Sequence, residues 1–130
     1  MLSVVAISLG ASLGALLRWG LALWLNQPGG LLAWGTLVAN LLGGYLVGLA
    51  MAGLGLLPQL DPLWRLALVT GFLGALTTFS TFSVEVVGLL TQGRLGWALL
   101  VAGAHLAGSL TMTWLGLHMV GWLAGSAVWR

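Results

Sequence analysis

The stretch GFLGALTTFSTFS, residues 71–83, decides how this chain must fold. It holds five hydroxyl side chains and two glycines within thirteen residues, and Phe79 and Phe82 lie three residues apart in it. The sequence on both sides is strongly apolar, so this is not the composition of an ordinary surface loop. A hydroxyl-rich, glycine-containing segment inside an apolar run predicts a membrane helix that is interrupted where a polar site is needed.

The overall composition indicates that lipid surrounds most of the chain. Of 130 residues, 60% are hydrophobic and only 5% are charged, whereas a soluble domain carries about 25% charged residues. The absence of cysteine excludes disulfides and thiolate metal sites. Four arginines are too few for a nucleic-acid surface. No basic region precedes the first apolar run, so we expect a retained span rather than a cleaved signal peptide.

Four stretches are long and apolar enough to cross a membrane, which takes about 20 residues each. The predicted spans are 2–25, 31–57, 63–90 and 95–128. Short, turn-like segments separate them and require an up-down-up-down arrangement with both ends of the chain on one side. We therefore predict a single all-α membrane domain over residues 1–130, with four transmembrane helices and a third helix broken at mid-membrane.

The arginines give little signal about orientation. Arg18 and Arg94 fall on one side of the predicted membrane, and Arg65 and Arg130 fall on the other. Because an excess of basic residues in the cytoplasmic loops normally sets orientation, two interpretations stay open. One is a single topology with a weak bias, and the other is dual topology with antiparallel pairing of two copies. The small size favours an antiparallel homodimer, since many transport proteins place their sites between inverted repeats.

Three polar side chains in or near the spans each allow two interpretations. Asn40 either makes an interhelical hydrogen bond or points a neutral donor into a pore. Arg18 either extends to the membrane surface or attracts anions toward a vestibule. Glu85 is either a vestibule carboxylate or a residue close to the membrane boundary.

The fourth span carries polar residues on one helical face. His105, Ser109 and Thr113 follow the spacing i, i+4, i+8. Hydroxyls in membrane helices often bond to the carbonyl one turn earlier, so these side chains either satisfy their own helix or form one wall of a polar track.

The third span carries the strongest signal, because Gly71, Gly74 and the pair Thr77–Thr78 all weaken helix propensity. A helix that breaks there frees backbone carbonyls, and broken transporter helices coordinate ions through such carbonyls. Two carbonyls from each copy of an antiparallel dimer would give four oxygens, which suits a hard monovalent cation such as Na⁺. The alternative is a continuous helix in which the hydroxyls bond to the preceding turn.

The second half of the same stretch suits an anion. Phe79 and Phe82 project to the same side of the helix that follows, and the edge of an aromatic ring is electropositive. Ser80, Thr81 and Asn40 can add neutral hydrogen-bond donors. Weak neutral donors hold a small anion without trapping it, as full positive charges would.

Three segments together resemble the Fluc (CrcB) family of fluoride channels. They are GALLRW at 14–19, GTLVANLLGGYLVG at 35–48 and GFLGALTTFSTFSVE at 71–85. The resemblance implies an antiparallel dual-topology dimer in a bacterial plasma membrane, with two fluoride pathways and a central Na⁺ that is not transported. It also implies passive, fluoride-selective export that protects the cell from fluoride.

The resemblance further assigns roles to individual residues. The backbone carbonyls of Gly74 and Thr77 would hold the Na⁺. Arg18 would lie near the vestibule, and Glu85 along or close to the conduction route. The residues implied for the fluoride pathway are Asn40, Phe79, Phe82, Ser80 and Thr81, with Ser109 and Thr113 as the best matches in the fourth span. No family position corresponds to His105.

Other classes fit less well. A proton-coupled exporter resembling the small multidrug resistance family shares the size and four spans, but such proteins use a first-span glutamate, and the first span here has only Arg18. A regulatory membrane subunit leaves the hydroxyl cluster unexplained. We do not expect an enzyme, because no nucleophile–base–acid set, metal-ligand cluster or phosphate-binding glycine pattern occurs.

Overall fold

The computed structural model describes residues 1–125, and these residues form an all-helical bundle. In chain order the elements are α1 (Leu2–Leu25), α2 (Trp34–Gly55), α3 (Pro62–Arg65), a π-helical segment (Leu66–Leu73), α4 (Gly74–Leu76), α5 (Phe79–Thr91) and α6 (Leu95–Ala124). The elements α3 to α5 follow one another along a single span, so residues 1–125 contain four stretches that can cross a membrane. The predicted all-α architecture with four apolar spans is confirmed.

The ends of two helices differ from the predicted spans. α2 begins at Trp34 instead of 31, because the Asn26 side chain accepts a hydrogen bond from Gly35 N and so caps its first turn (2.7 Å). α6 ends at Ala124, and Gly125 turns the chain with a left-handed φ of 61°. Residues 126–128 of the predicted fourth span and the terminal arginine lie outside the described residues.

Glycines let the helices approach one another at backbone distance. α1 packs against the π-helical segment, where a Cβ on Gly10 or Gly14 would overlap a carbonyl oxygen of that segment. α2 packs against α6 in the same way through Gly48 and Gly116. Small residues at such contacts are typical of membrane helices, which associate by close packing.

The outer surface of the bundle is apolar. Leucine and valine side chains along α1, α5 and α6 are exposed, and tryptophans such as Trp24, Trp64 and Trp122 are exposed near helix ends. Tryptophan is enriched where a membrane meets water. The buried core is correspondingly small, with Leu73 and Leu76 at one centre and Leu89 and Val101 at another. This distribution is the one that a lipid-exposed bundle requires.

Helical geometry stops for two residues within the third span. Thr77 (φ −80°, ψ 153°) and Thr78 (φ −147°, ψ 116°) are extended between α4 and α5. The Thr78 hydroxyl accepts a hydrogen bond from Thr81 N and caps the start of α5. Each helix end leaves backbone groups without a partner in the helix, and these groups organise the site described next.

Candidate functional site

Asn40 occupies the gap between α4 and α5. Its Oδ1 accepts a hydrogen bond from Thr78 N at 2.7 Å, and its Nδ2 donates to Thr78 O at 3.0 Å. The amide therefore bonds both backbone groups of one extended residue, as a neighbouring peptide would. Buried backbone groups must find partners, and this asparagine on α2 supplies them across 38 residues of sequence.

His105 on α6 extends this arrangement. Its Nδ1 lies 3.0 Å from Asn40 Nδ2, and the residue is only 4% exposed. The sequence predicted that His105 shares one helical face with Ser109 and Thr113, and all three residues line the same groove. Its contact with Asn40 was not predicted.

Glu85 lies inside the bundle, at the N-terminus of α2. Its Oε1 accepts a hydrogen bond from Ala33 N at 2.7 Å. Its Oε2 faces His105 Nε2 at 4.0 Å, and neither of these two buried atoms has a hydrogen-bond partner within residues 1–125. A carboxylate is favoured at a helix N-terminus by the helix dipole, so Glu85 joins α5 to the start of α2.

Arg18 contacts the other side of the interruption. Its Nε donates a hydrogen bond to the carbonyl of Ala75 at 3.0 Å. In a continuous helix this carbonyl would accept from Phe79 N, so Arg18 replaces a bond that the interruption removes. A cation at the C-terminal end of a helical segment also complements the dipole of that segment.

The carbonyls implied for sodium are among those freed by the interruption. The helical partner of Gly74 O would be Thr78 N, which donates to Asn40 instead. Thr77 O would bond to Thr81 N, which donates to the Thr78 hydroxyl. Within residues 1–125, no group of three His or acidic side chains could hold a metal ion.

A groove of about 670 Å³ gathers most of the predicted site residues. The predicted residues that line it are Asn40, Gly74, Thr77, Phe79, Phe82, Ser109 and Thr113, and His105 lines it as well. The remaining four predicted residues do not line it. Ser80 and Thr81 are exposed at the start of α5, whereas Arg18 and Glu85 make the separate contacts described above.

The two phenylalanines predicted for the pathway form an edge-to-face pair. The ring centres of Phe79 and Phe82 are 5.4 Å apart with an interplanar angle of 65°. Phe82 also stacks on the ring of His105 at 4.7 Å. Phe79 is 79% exposed, so one ring is held by the bundle and the other projects into the groove. The edge of an aromatic ring carries partial positive charge, and both rings line the groove.

Hydroxyl groups gather at the start of α5. The Thr78 hydroxyl contacts those of Ser80 (3.2 Å) and Thr81 (3.0 Å). Three hydroxyls with two mutual contacts leave one hydroxyl hydrogen for another acceptor. The cluster therefore retains one neutral donor beside the aromatic pair.

The two hydroxyls of α6 differ in what they have left to donate. Thr113 Oγ1 donates to Ser109 O at 2.9 Å, a bond within its own helix. The Ser109 hydroxyl has no hydrogen-bond partner among residues 1–125. Ser109 is thus the free donor of this pair.

The sequence matches the family described as CrcB-like protein, Camphor Resistance (CrcB), over residues 5–117. A relative from Variovorax paradoxus is 65% identical over 95% of this chain and 98% of its own length. Relatives from Albidiferax ferrireducens (62% identical; 90% and 89% covered) and Pseudomonas aeruginosa (55%; 95% and 97%) match similarly. All three are named fluoride-specific ion channel FluC.

These names belong to channels, so the family is one of ion channels and not of enzymes, as the sequence predicted. The resemblance of the three quoted segments to the Fluc (CrcB) family is likewise confirmed. Combined with four helices long and apolar enough to cross a bilayer, the matches show that this chain is a multi-pass bacterial membrane protein and belongs to the CrcB-like family.

Proposed function

We propose that this protein is a passive, fluoride-selective ion channel that exports cytoplasmic fluoride and so protects against fluoride toxicity. One observation carries the proposal. In a chain 65% identical to a fluoride-specific ion channel, two phenylalanines in edge-to-face contact (Phe79 and Phe82) and Ser109 line a single groove between the third span, α2 and α6. The chemistry of that groove suits a small, strongly hydrogen-bonding anion.

The donors along the groove are neutral. The ring edges of Phe79 and Phe82 and the Ser109 hydroxyl would attract an anion weakly, and the spare hydrogen of the hydroxyl cluster lies beside the groove at the start of α5. The Arg18 guanidinium is bonded to Ala75 O and does not line the groove. Conduction requires sites that bind an ion well enough to admit it and weakly enough to release it. A path without a full positive charge meets that requirement.

Asn40 contributes to the pathway through its position. Both hydrogens of its amide are used, one on Thr78 O and one on His105 Nδ1. A direct hydrogen bond from Asn40 to fluoride would require one of these bonds to exchange. In the arrangement described here, Asn40 instead holds the backbone that precedes Phe79.

The direction of net transport follows from the acid–base chemistry of fluoride. Hydrogen fluoride enters a cell as a neutral molecule, dissociates at cytoplasmic pH and leaves the anion trapped. A passive channel lets the anion leave down its electrochemical gradient. The protein then needs no coupling ion or energy source.

A second copy of the chain in the opposite orientation completes the channel. The groove is apolar over most of its lining, and Phe79 is largely exposed in a single chain. A face of this kind invites burial against a partner. The even distribution of arginines supports insertion in both orientations, which an antiparallel dimer requires.

The freed carbonyls of Gly74 and Thr77 fit a structural Na⁺ on the dimer axis. Both residues line the groove, and their helical partners donate elsewhere. Leu76, which lies between these residues in the chain, is fully buried in the core. This favours the carbonyls of Gly74 and Thr77, which line the groove, as the ligands of Na⁺. When bound, the cation would be coordinated by these oxygens and would hold two copies together. It would not be transported.

Fluoride release from liposomes tests the function. Vesicles loaded with potassium fluoride receive the purified protein and then valinomycin, and a fluoride electrode follows release. We expect rapid fluoride release and no release from chloride-loaded vesicles. Phe79→Ile or Phe82→Ile should nearly abolish release. Retention of fluoride by vesicles with the wild-type protein would refute the channel.

Disulfide crosslinking tests the antiparallel dimer. The chain has no cysteine, so two variants, each with one cysteine at a different end of the exposed face of α5, can be co-expressed and their mixed and like-end crosslinks compared. An antiparallel dimer joins one end of α5 to the opposite end in the partner. Crosslinks that join only like ends would contradict the proposed orientation.

A further inference from the structure

We propose that His105 is a positioning residue of this pathway. Its Nδ1 holds the Asn40 amide in the one orientation that replaces the missing backbone hydrogen bonds at Thr78. The contact itself is a structural observation, with Nδ1 and Nδ2 3.0 Å apart. Its effect on transport rests on the proposed fluoride channel, whereas its effect on the amide does not.

The Asn40 amide has two orientations, related by a half-turn. In the one described, Oδ1 faces the Thr78 N–H and Nδ2 faces the Thr78 carbonyl. The flipped amide would place two donors together and two acceptors together at the same residue. It would also turn Oδ1 toward His105. An acceptor at His105 Nδ1 therefore stabilises the first orientation and not the second.

This contact fixes the tautomer of His105. Because Nδ1 faces the NH₂ group of Asn40, it must be the acceptor nitrogen, and the ring hydrogen lies on Nε2. Nε2 then directs its N–H toward Glu85 Oε2, which is 4.0 Å away. The carboxylate favours this same tautomer. Asn40 on α2 and Glu85 on α5 thus both favour the tautomer of His105 with its hydrogen on Nε2.

Because His105 is buried, the loss of its hydrogen bond to Asn40 would be costly in free energy. The residue is 4% exposed, and its ring stacks on Phe82. A buried donor or acceptor left without a partner costs far more free energy than an exposed one. The ring, packed between Phe82 and Asn40, therefore has little freedom to rotate away.

The orientation of Asn40 affects the position of Phe79, because Asn40 bonds to Thr78 and one peptide bond joins Thr78 to Phe79. Thr78 is followed directly by Phe79, and the Thr78 hydroxyl caps α5. If the amide turns, Thr78 loses partners for both of its backbone groups. The start of α5 and the exposed ring of Phe79 then lose their fixed place in the groove.

Nitrogen NMR of the imidazole rings tests the inference without measuring transport. The chain has only two histidines, so ¹⁵N-histidine labelling of the protein with His118→Phe leaves the signals of His105 alone. We expect Nδ1 to be unprotonated and Nε2 to carry the hydrogen. In Asn40→Ala, the Nδ1 signal should shift as its hydrogen bond is lost. A hydrogen found on Nδ1, or an Nδ1 signal that ignores Asn40→Ala, would overturn the inference.

Substitutions at His105 then connect the contact to transport. Asn at this position places an amide oxygen near the site of Nδ1, whereas Gln reaches the site of Nε2 and faces Glu85. We expect His105→Phe to lower fluoride release about tenfold or more, and His105→Asn to restore more of it than His105→Gln. His118→Phe is the matched control, because His118 is exposed and bonds within its own helix; its release rate should stay unchanged.

These outcomes separate the two proposals. Release by His105→Phe at the wild-type rate, or better rescue by Gln than by Asn, contradicts the positioning role. Failure of the wild-type protein to release fluoride contradicts the channel instead, and the NMR result still decides whether His105 orients Asn40.

Discussion

The two halves of the third span are held in place by different kinds of contact. The first half, residues 62–76, lies against α1, where Gly71 of the span meets Gly10 at backbone distance and Gly14 lies against the Phe72 carbonyl. The second half, α5, is positioned by side chains, through the Asn40 amide at Thr78 and the Glu85 carboxylate at Ala33 N. One half is fixed by shape and the other by hydrogen bonds.

This difference accounts for the position of the proposed ion site. Backbone packing is rigid, so it suits the half that anchors the span. Hydrogen bonds through side chains leave carbonyls and hydroxyls available between them, and those groups are what an ion needs. Substitutions that disturb packing should therefore remove the folded protein, whereas polar substitutions should change the site first.

The largest effect is expected from Gly14→Val on the anchoring half. A Cβ at Gly14 would overlap the carbonyl oxygen of Phe72, and no flexible side chain can move aside. Overpacking against backbone exceeds the usual cost of about 1–3 kcal/mol. We expect little folded protein in detergent, measured by size-exclusion chromatography and helical circular dichroism.

Gly20→Val is the matched control for this change. Gly20 lies on the same helix, and a Cβ there meets nothing within 4 Å. Its yield and helical signal should equal those of the wild type. Equal yields of Gly14→Val and Gly20→Val would mean that backbone contact does not anchor the first half.

A smaller but still large effect is expected from Asn40→Asp on the hydrogen-bonded half. The change keeps an acceptor for Thr78 N but places an oxygen against the Thr78 carbonyl. It also buries a charge, which is costly without a partner. We expect fluoride release to fall about 100-fold, since two lost contacts of about 1.4 kcal/mol each correspond to that factor.

Asn26→Asp separates this effect from a general intolerance of aspartate. Asn26 uses only its Oδ1, which accepts from Gly35 N at the start of α2. A carboxylate serves equally well there and is favoured by the helix dipole. Release should remain at the wild-type rate. Similar losses in both variants would show that charge alone, and not the lost donors, causes the defect.

Arg18→Met tests the junction between the two halves. The substitution leaves the Ala75 carbonyl without the donor that Arg18 supplies at 3.0 Å. An unsatisfied, partly buried carbonyl costs about 1–3 kcal/mol, so the free energy of unfolding in detergent should fall by that amount. Arg94→Met, at an exposed turn position, should leave it unchanged. If Arg18→Met lowers the free energy of unfolding no more than Arg94→Met does, Arg18 does not stabilise the junction.

Much of this architecture can be predicted from sequence because hydropathy acts locally. The run from Leu2 to Leu25 is apolar apart from Arg18 and three serines, and the helix has those same bounds. The start of α2 could not be predicted equally well. Glu85, which bonds to Ala33 N, is 52 residues away in the chain, and no local pattern reports such a pairing.

The candidate site also combines features that local sequence predicts with features that depend on distant contacts. Residue types and spacing placed Asn40, Phe79 and Phe82 in a candidate pathway, and these three residues do line one groove. Their roles in conduction stay predictions. The sequence placed His105 on a polar helical face but could not predict its contact with Asn40, because only the packing of α2 against α6 determines which of its two nitrogens faces that amide.

The smallest effect is expected where the two hydroxyls of α6 are compared. Thr113 donates to the Ser109 carbonyl, so its hydrogen is not available to an ion, whereas the Ser109 hydroxyl is not engaged in this way. We expect Ser109→Ala to slow fluoride release about threefold to tenfold, roughly the value of one neutral hydrogen bond. Thr113→Val, which has nearly the same shape, should change release less than twofold, because the bond it loses only supports the helix itself. A larger loss of fluoride release for Thr113→Val than for Ser109→Ala would contradict this expectation. It would mean that the Thr113 hydroxyl leaves the Ser109 carbonyl and donates to the ion instead.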